Sequence, residues 1–238
     1  MESEGIVPLN NSIFNAKMAN HTIDIYFFTM SPPSRAALLL MRALGLKHNI
    51  KIVNVLAGEQ MNPEFIKINP LHTIPVINDG GFILPDSNAI MKYLVDQYAK
   101  DDSLFPRDPK KSAIVIQRLF FVSGYLFPRF VAYHLPTMKD GVKGAEEDLN
   151  KLNETFSMMD NYVQGQTWFA GNNMTVADFA AISLISTIYA CGSCDISAHQ
   201  NLFQWFQKTK TAMESFGYDE VMQAGAEAFG ALYKSRLK

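Results

Sequence analysis

Three short stretches of this chain hold residues able to do chemistry together. In Thr29-Met30-Ser31-Pro32-Pro33-Ser34-Arg35 a hydroxyl stands directly before a proline pair suited to begin a helix. A helix start presents unpaired backbone N–H groups and a positive dipole end, so it attracts an anion. A sulfur lying over those groups would also receive a hydrogen bond from Ser31. Both influences favour thiolate over thiol and draw a pKa near ~8.5 downward. The same hydroxyl could equally serve only as the helix cap.

The second stretch is Asn69-Pro70-Leu71-His72-Thr73-Ile74-Pro75-Val76. A proline opening a strand cannot donate to a ladder, and its X-Pro bond is a candidate for cis, which would turn the Ile74 backbone towards a ligand. A peptide could pair there like an added strand. The third stretch, Leu84-Pro85-Asp86-Ser87-Asn88-Ala89-Ile90, sets an acid and a hydroxyl at a helix start. Capping is the ordinary explanation. The alternative is an α-amino-acid head group, with Asp86 on its ammonium and Ser87 and the helix end on its carboxylate.

These stretches need elements to position them. The apolar run Ile23 to Phe28 predicts a strand, Ser34 to Leu44 a helix stopped by Gly45, and Ile50 to Val55 a second, parallel strand. Thr73 to Leu84 predicts an antiparallel hairpin around Gly80-Gly81, and Ser87 to Tyr98 a closing helix. The order β-α-β then β-β-α is that of a thioredoxin-like fold. In that fold the reactive group follows the first strand, and here Ser-x-x-Ser stands where a redox protein has Cys-x-x-Cys. The thiol must then come from outside.

After Lys100, a polar, proline-punctuated run marks a boundary. Beyond it only helical periodicity appears, over 110–135, 145–163, 176–190, 201–214 and 219–234. Pro128 should bend or interrupt the first of these helices, and Thr175-Val176-Ala177-Asp178 reads as a capping box before an uncharged one. The expected organisation is an extension over 1–20, with Met18 a second candidate start, a thioredoxin-like domain over 21–99, a linker over 100–108, and an all-helical domain over 109–238.

Composition narrows the function. The 238 residues carry 21 basic and 23 acidic side chains, a net charge of −2, without a run suited to nucleic acid. The long apolar uncharged stretch Phe179 to Cys194 is shorter than the ~20 apolar residues of a bilayer span and reads as a buried helix. The first twenty residues resemble neither a secretory signal nor a presequence, so the expected location is cytoplasmic. The two cysteines, Cys191 and Cys194, have CxxC spacing but lack further ligands, and read as inert thiols.

Taken in order, the three stretches, together with Lys100-Asp101-Asp102-Ser103-Leu104-Phe105-Pro106 and Met174-Thr175-Val176-Ala177-Asp178-Phe179, resemble the glutathione transferases of the insect delta/epsilon group, in an epsilon-like form. The resemblance spans about residues 20–235. It implies that Ser31 is the catalytic hydroxyl and that Ile74, before cis Pro75, pairs with the cysteinyl unit of glutathione. Asp86 and Ser87 would hold the γ-glutamyl end, with His72 reaching the glycyl carboxylate and Gln60, Thr73 and Asn88 completing the glutathione site. Asp86 stands where the group often has Glu, Asn88 where it often has His or Arg, and Gln60 where His is common.

The electrophile pocket should lie between the domains, lined by Met30, Pro32, Val55, Phe127, Phe130, Tyr133 and His134. Aromatic and Met side chains suit such an adaptable apolar site. The expected activity is conjugation of glutathione, as co-substrate, to small hydrophobic electrophiles in detoxification, with dehydrohalogenation or peroxide reduction as side activities. Neither a metal nor a bound organic cofactor is implied, and nucleic acid and membrane are not expected partners. Homodimerisation is expected from the resemblance. The rival reading is a non-catalytic carrier of hydrophobic ligands on the same fold.

Overall fold

The computed structural model describes residues 21–237, so the expected N-terminal extension and Met18 lie outside the described residues. Strand β1 (Ile23–Phe27) alternates buried and half-buried residues, as a central strand covered mainly on one face should. Helix α1 (Pro32–Ala43) follows directly, capped by Ser31, whose Oγ accepts the Ser34 N–H at 3.4 Å. The helix begins two residues earlier than the sequence suggests. Proline is preorganised for a first helical turn, where its missing N–H leaves nothing unpaired. Gly45 ends it at φ +67°, a conformation that suits glycine.

Strand β2 (His48–Ile52) pairs in parallel with β1, Ile23 opposite His48 and Phe27 opposite Ile52. The sequence placed this strand over 50–55. As an edge strand it is largely exposed, so the register with β1, and not the apolar run, sets its ends. A 3-10 turn over Glu59–Met61 and a short helix α2 (Pro63–Ile68) lead to β3 (Val76–Asp79) and β4 (Phe82–Pro85). The sheet order is β2-β1-β3-β4, with β3 antiparallel to both neighbours. Helix α3 (Ser87–Tyr98) completes the thioredoxin-like domain.

A helical domain follows. Helix α4 (Pro109–Phe121), a π turn (Val122–Leu126) and α5 (Phe127–Asp140) form one rod. The irregularity expected near Pro128 takes the form of the π turn, and the chain stays helical through it. The wider π turn comes first, with the Phe127 N–H bonded to the Val122 carbonyl, and Pro128 then sits in the opening turn of α5. The rod's 32 residues reach the length and apolarity of a membrane span. Its residues Val115, Leu119, Leu126 and Phe130 are nevertheless buried in the protein core.

Helices α6 (Glu146–Val163), α7 (Val176–Cys191), α8 (Gln200–Met213) and α9 (Ala224–Arg236) complete the chain, with a second π turn at Asp219–Gln223. Helix α7 is buried along nearly its whole length and packs against both α1 and α9. Its start is made by a capping box in which Asp178 accepts the Thr175 N–H at 2.9 Å. Asp178 also accepts the Phe169 N–H at 2.8 Å and the Trp205 indole at 2.9 Å, tying α7 to α8. One apolar core runs from Ile25 and Leu39 through Ile185 to Trp205 across both domains. Truncating fully buried Leu39 to Ala would cost about 2–5 kcal/mol.

Candidate active site

Ser31 stands in the connection between β1 and α1. Its N–H donates to the Phe28 carbonyl at 2.9 Å and its carbonyl accepts the Arg35 N–H at 3.1 Å. Since its Oγ accepts from Ser34, the hydroxyl proton can still donate outward. The helix end contributes positive potential at the same point.

Two cavities meet beside this residue. One, of about 250 Å³, is lined by Thr73, Ile74, Pro75, Asp86, Ser87 and Asn88 from the sheet domain, with Ser123, Ser183 and Leu184 across the domain junction. The other, of about 290 Å³, is lined by Met30, Ser31, Pro32, Val55, Phe127, Phe130 and His134, with Phe28, Leu56, Val131, Leu135, Met138 and Phe229. They share Pro33, Ile74 and Phe127 as a common wall. Among the described residues, only Ser31 and His134 bring polar side chains to the second cavity, which suits an apolar occupant.

The head of the polar cleft is built by local bonding. Asp86 caps α3, accepting the N–H groups of Asn88 at 2.9 Å and Ala89 at 3.0 Å. Its backbone sits at φ +75°, ψ 117°, a sparsely populated region costing on the order of 1–3 kcal/mol and typical of ligand sites. The Asp86 side chain is exposed and one of its oxygens makes both caps, so the other is open to a cation. The Ile74–Pro75 peptide is cis. The loop before it is organised by buried Asn69, whose Nδ2 donates to the Thr73 carbonyl at 2.9 Å and whose Oδ1 accepts the Leu71 N–H at 3.1 Å. The Asn-Pro dipeptide is the sequence signal for that turn.

Three predicted site residues stand apart from both cavity walls. His72 is exposed at φ +45° on the rim of the loop, and Gln60 is half-buried on the 3-10 turn. The Gln60 Oε1 is buried with no protein partner. Tyr133 lines a separate recess with Lys143, Gly144, Glu146 and Leu149. Helix geometry explains it: Phe127, Phe130, Val131, His134, Leu135 and Met138 follow the i, i+3, i+4, i+7 stripe of one face, and Tyr133 falls off it.

Phe229 reaches the pocket from α9, its ring 5.5 Å from that of Phe130. Periodicity alone assigns it to a helix without saying which cavity the helix covers. The cysteines lie behind the pocket. Burial pushes the Cys191 thiol up to about 12 and raises that of Cys194, so neither offers a thiolate.

A thioredoxin-like domain that has a serine at its reactive position, joined to a helical domain across a two-part cleft, defines the class. The family model described as the glutathione S-transferase N-terminal domain matches residues 25–102, and that for the C-terminal domain matches residues 121–210. Glutathione S-transferase D6 of Drosophila melanogaster is 38% identical over 83% of this chain and 91% of its own. A delta-class glutathione transferase of Nilaparvata lugens is 41% identical with a TM-score of 0.85, covering 90% of this chain and 99% of that one. An epsilon-class enzyme of the housefly, Musca domestica, is 32% identical with a TM-score of 0.84, covering 90% and 98%. A glutathione transferase homologue from Drosophila mojavensis, solved with bound glutathione, is 36% identical with a TM-score of 0.82, covering 91% and 98%. The chain belongs to the glutathione S-transferase family.

Proposed function

We propose that this protein conjugates glutathione to small apolar electrophiles, Ser31 holding the sulfur as thiolate at the start of α1. The observation that carries the reading is the meeting of a polar cleft and an apolar pocket at Pro33, Ile74 and Phe127, beside Ser31. The tripeptide lies in the first cavity: the Ile74 backbone pairs with its cysteinyl unit and Asp86 and Ser87 hold its γ-glutamyl end. Thr73 and Asn88 flank it, with His72 and Gln60 towards its glycyl end. The electrophile occupies the second cavity against Phe127, Phe130 and His134. The thiolate forms the new S–C bond while the leaving group departs with its electron pair, and holding both reactants together supplies much of the rate.

The detoxification role, with dehydrohalogenation or peroxide reduction as side activities, and the cytoplasmic location belong to the same reading. So do the division into units at 21–99 and 109–238 and the homodimer. Phe82 and Ile83 on edge strand β4, and Phe120 and Tyr125 on the helical rod, are large exposed apolar side chains that a second copy would cover. Relatives named as transferases give the carrier alternative no support. Steady-state conjugation with a generic aryl halide tests the reading. Ser31→Ala should lower turnover about 10–100-fold, the worth of one hydrogen bond to a charged group. Negligible turnover in both proteins would return the function to a carrier.

A further inference from the structure

We propose that one stretch of the C-terminal segment, Met222–Gly225, positions the Ser31 hydroxyl by gripping its loop on both sides. The inference rests on the role given to Ser31 above.

On the far side of Ser31, Arg35 is fully buried and its Nη1 donates to the Met222 carbonyl at 2.6 Å, across 187 residues of sequence. Its Nη2 donates to the Ser183 carbonyl at 3.4 Å and to Thr187 Oγ1. It has no carboxylate partner among the described residues, its Nη1 also lies 3.7 Å from the Met222 sulfur, and Nε is buried without an acceptor. Burial lowers its pKa to about 9, so it is still a cation at neutral pH. A buried cation held by carbonyls, a hydroxyl and the Met222 thioether, without a carboxylate, is a poor device for stability, because its desolvation offsets what it gains. It is a good device for fixing geometry, since a planar guanidinium holds several acceptors at set angles. Arg35 passes that fixity on, because its own N–H bonds the Ser31 carbonyl at 3.1 Å.

On the near side, the backbone of Gly225 lies directly against Thr29. A Cβ at Gly225 would stand 2.3 Å from the Thr29 carbonyl oxygen and 2.5 Å from Arg35 Cδ. Gly225 sits within helix α9 and outside the positive-φ region, so space and not backbone conformation accounts for the glycine. Thus the residue two before Ser31 and the residue four after it both seat on the same four residues of a distant helix start. A thiolate hydrogen bond loses strength within a fraction of an ångström, so this seat sets how well Ser31 serves.

The test uses the full-length protein and Gly225→Ala, with Gly230→Ala as control. Gly230 lies on the same helix, and a Cβ there would meet the Ala190 carbonyl at 2.5 Å, a similar insult directed at α7 instead of the Ser31 loop. Urea unfolding, ultraviolet titration of bound glutathione thiolate, kcat and KM are measured for both. Both variants should lose stability, but only Gly225→Ala should raise the apparent pKa of the bound thiol by about one unit and cut kcat about tenfold below that pKa, with KM for glutathione within about twofold. Equal thiol titrations in the two glycine variants overturn the proposal. If Gly225→Ala does not fold, Arg35→Lys carries the same readout, and an unshifted thiol there is equally fatal. Ser31→Ala run alongside isolates the underlying reading: a bound thiol unmoved by that substitution removes the hydroxyl's role, and the seat's purpose with it.

Discussion

The Ser193 hydroxyl donates to Nε2 of His134 at 2.8 Å, and this bond helps fix the state of the one ionisable side chain that the described residues bring to the apolar pocket's wall. Nδ1 of the same ring faces the Phe130 carbonyl at 2.9 Å. A carbonyl only accepts, so Nδ1 carries the proton and Nε2 receives the Ser193 hydroxyl. Burial drives the His134 pKa down to about 4, against the opposing carbonyl bond. The pocket therefore presents a neutral ring to its occupant.

A pH dependence follows. The unfolded chain takes up a proton near pH ~6.5 that folded His134 refuses until about 4, so stability falls as pH drops through that window. Between pH ~7 and ~5 the loss should be about 2 kcal/mol. Urea unfolding of wild type and His134→Gln at both values checks it, and the variant should lack this part of the slope.

The cleft offers a separable test of charge. Asp86→Asn keeps an oxygen able to cap α3 but removes the anion facing the proposed ammonium. We expect KM for glutathione to rise about tenfold while the unfolding midpoint holds within about 0.5 kcal/mol. A midpoint that falls with KM unchanged would make Asp86 a cap alone.

Asp178 is a costly polar residue to remove. Asp178→Ala leaves the N–H groups of Phe169 and Thr175 and the Trp205 indole buried without acceptors. At about 1–3 kcal/mol for each orphaned donor, denaturant unfolding should show a loss of at least ~3 kcal/mol.

Asp79 links β3 to α3. Burial pushes its carboxyl up, but hydrogen bonds from Tyr93, at 2.6 Å, and from Tyr98 and His21 outweigh it and hold the pKa below the usual carboxylate value. A depressed folded pKa gives stability that is present above pH ~3.9 and lost as pH falls through the folded value. The advantage of wild type over Asp79→Asn in thermal unfolding should therefore shrink below about pH 4.

Much of the site was legible because its signals are local. A cap before Pro32-Pro33, a turn proline at position 75 and an acid-hydroxyl pair at 86 and 87 each act within a few residues, and the fold joins two of them in one cleft. Element order and the α7 capping box were readable for the same reason. The ends of β2 were not, since an edge strand stops where its partner does. An irregularity near Pro128 was readable, but its form was not, because the π turn that precedes the proline leaves no compositional mark.

By itself, then, the amino-acid order determined the two-domain plan, the hydroxyl at the first helix and the polar head of the cleft, all encoded over spans of a turn or a strand. Only tertiary structure decided that Tyr133 leaves the pocket, that Phe229 enters it, and that Gly225 and Arg35 seat the Ser31 loop. Those facts depend on which face one helix turns to another and how closely two backbones approach. Such distances are set by packing the whole core, which a local pattern cannot report.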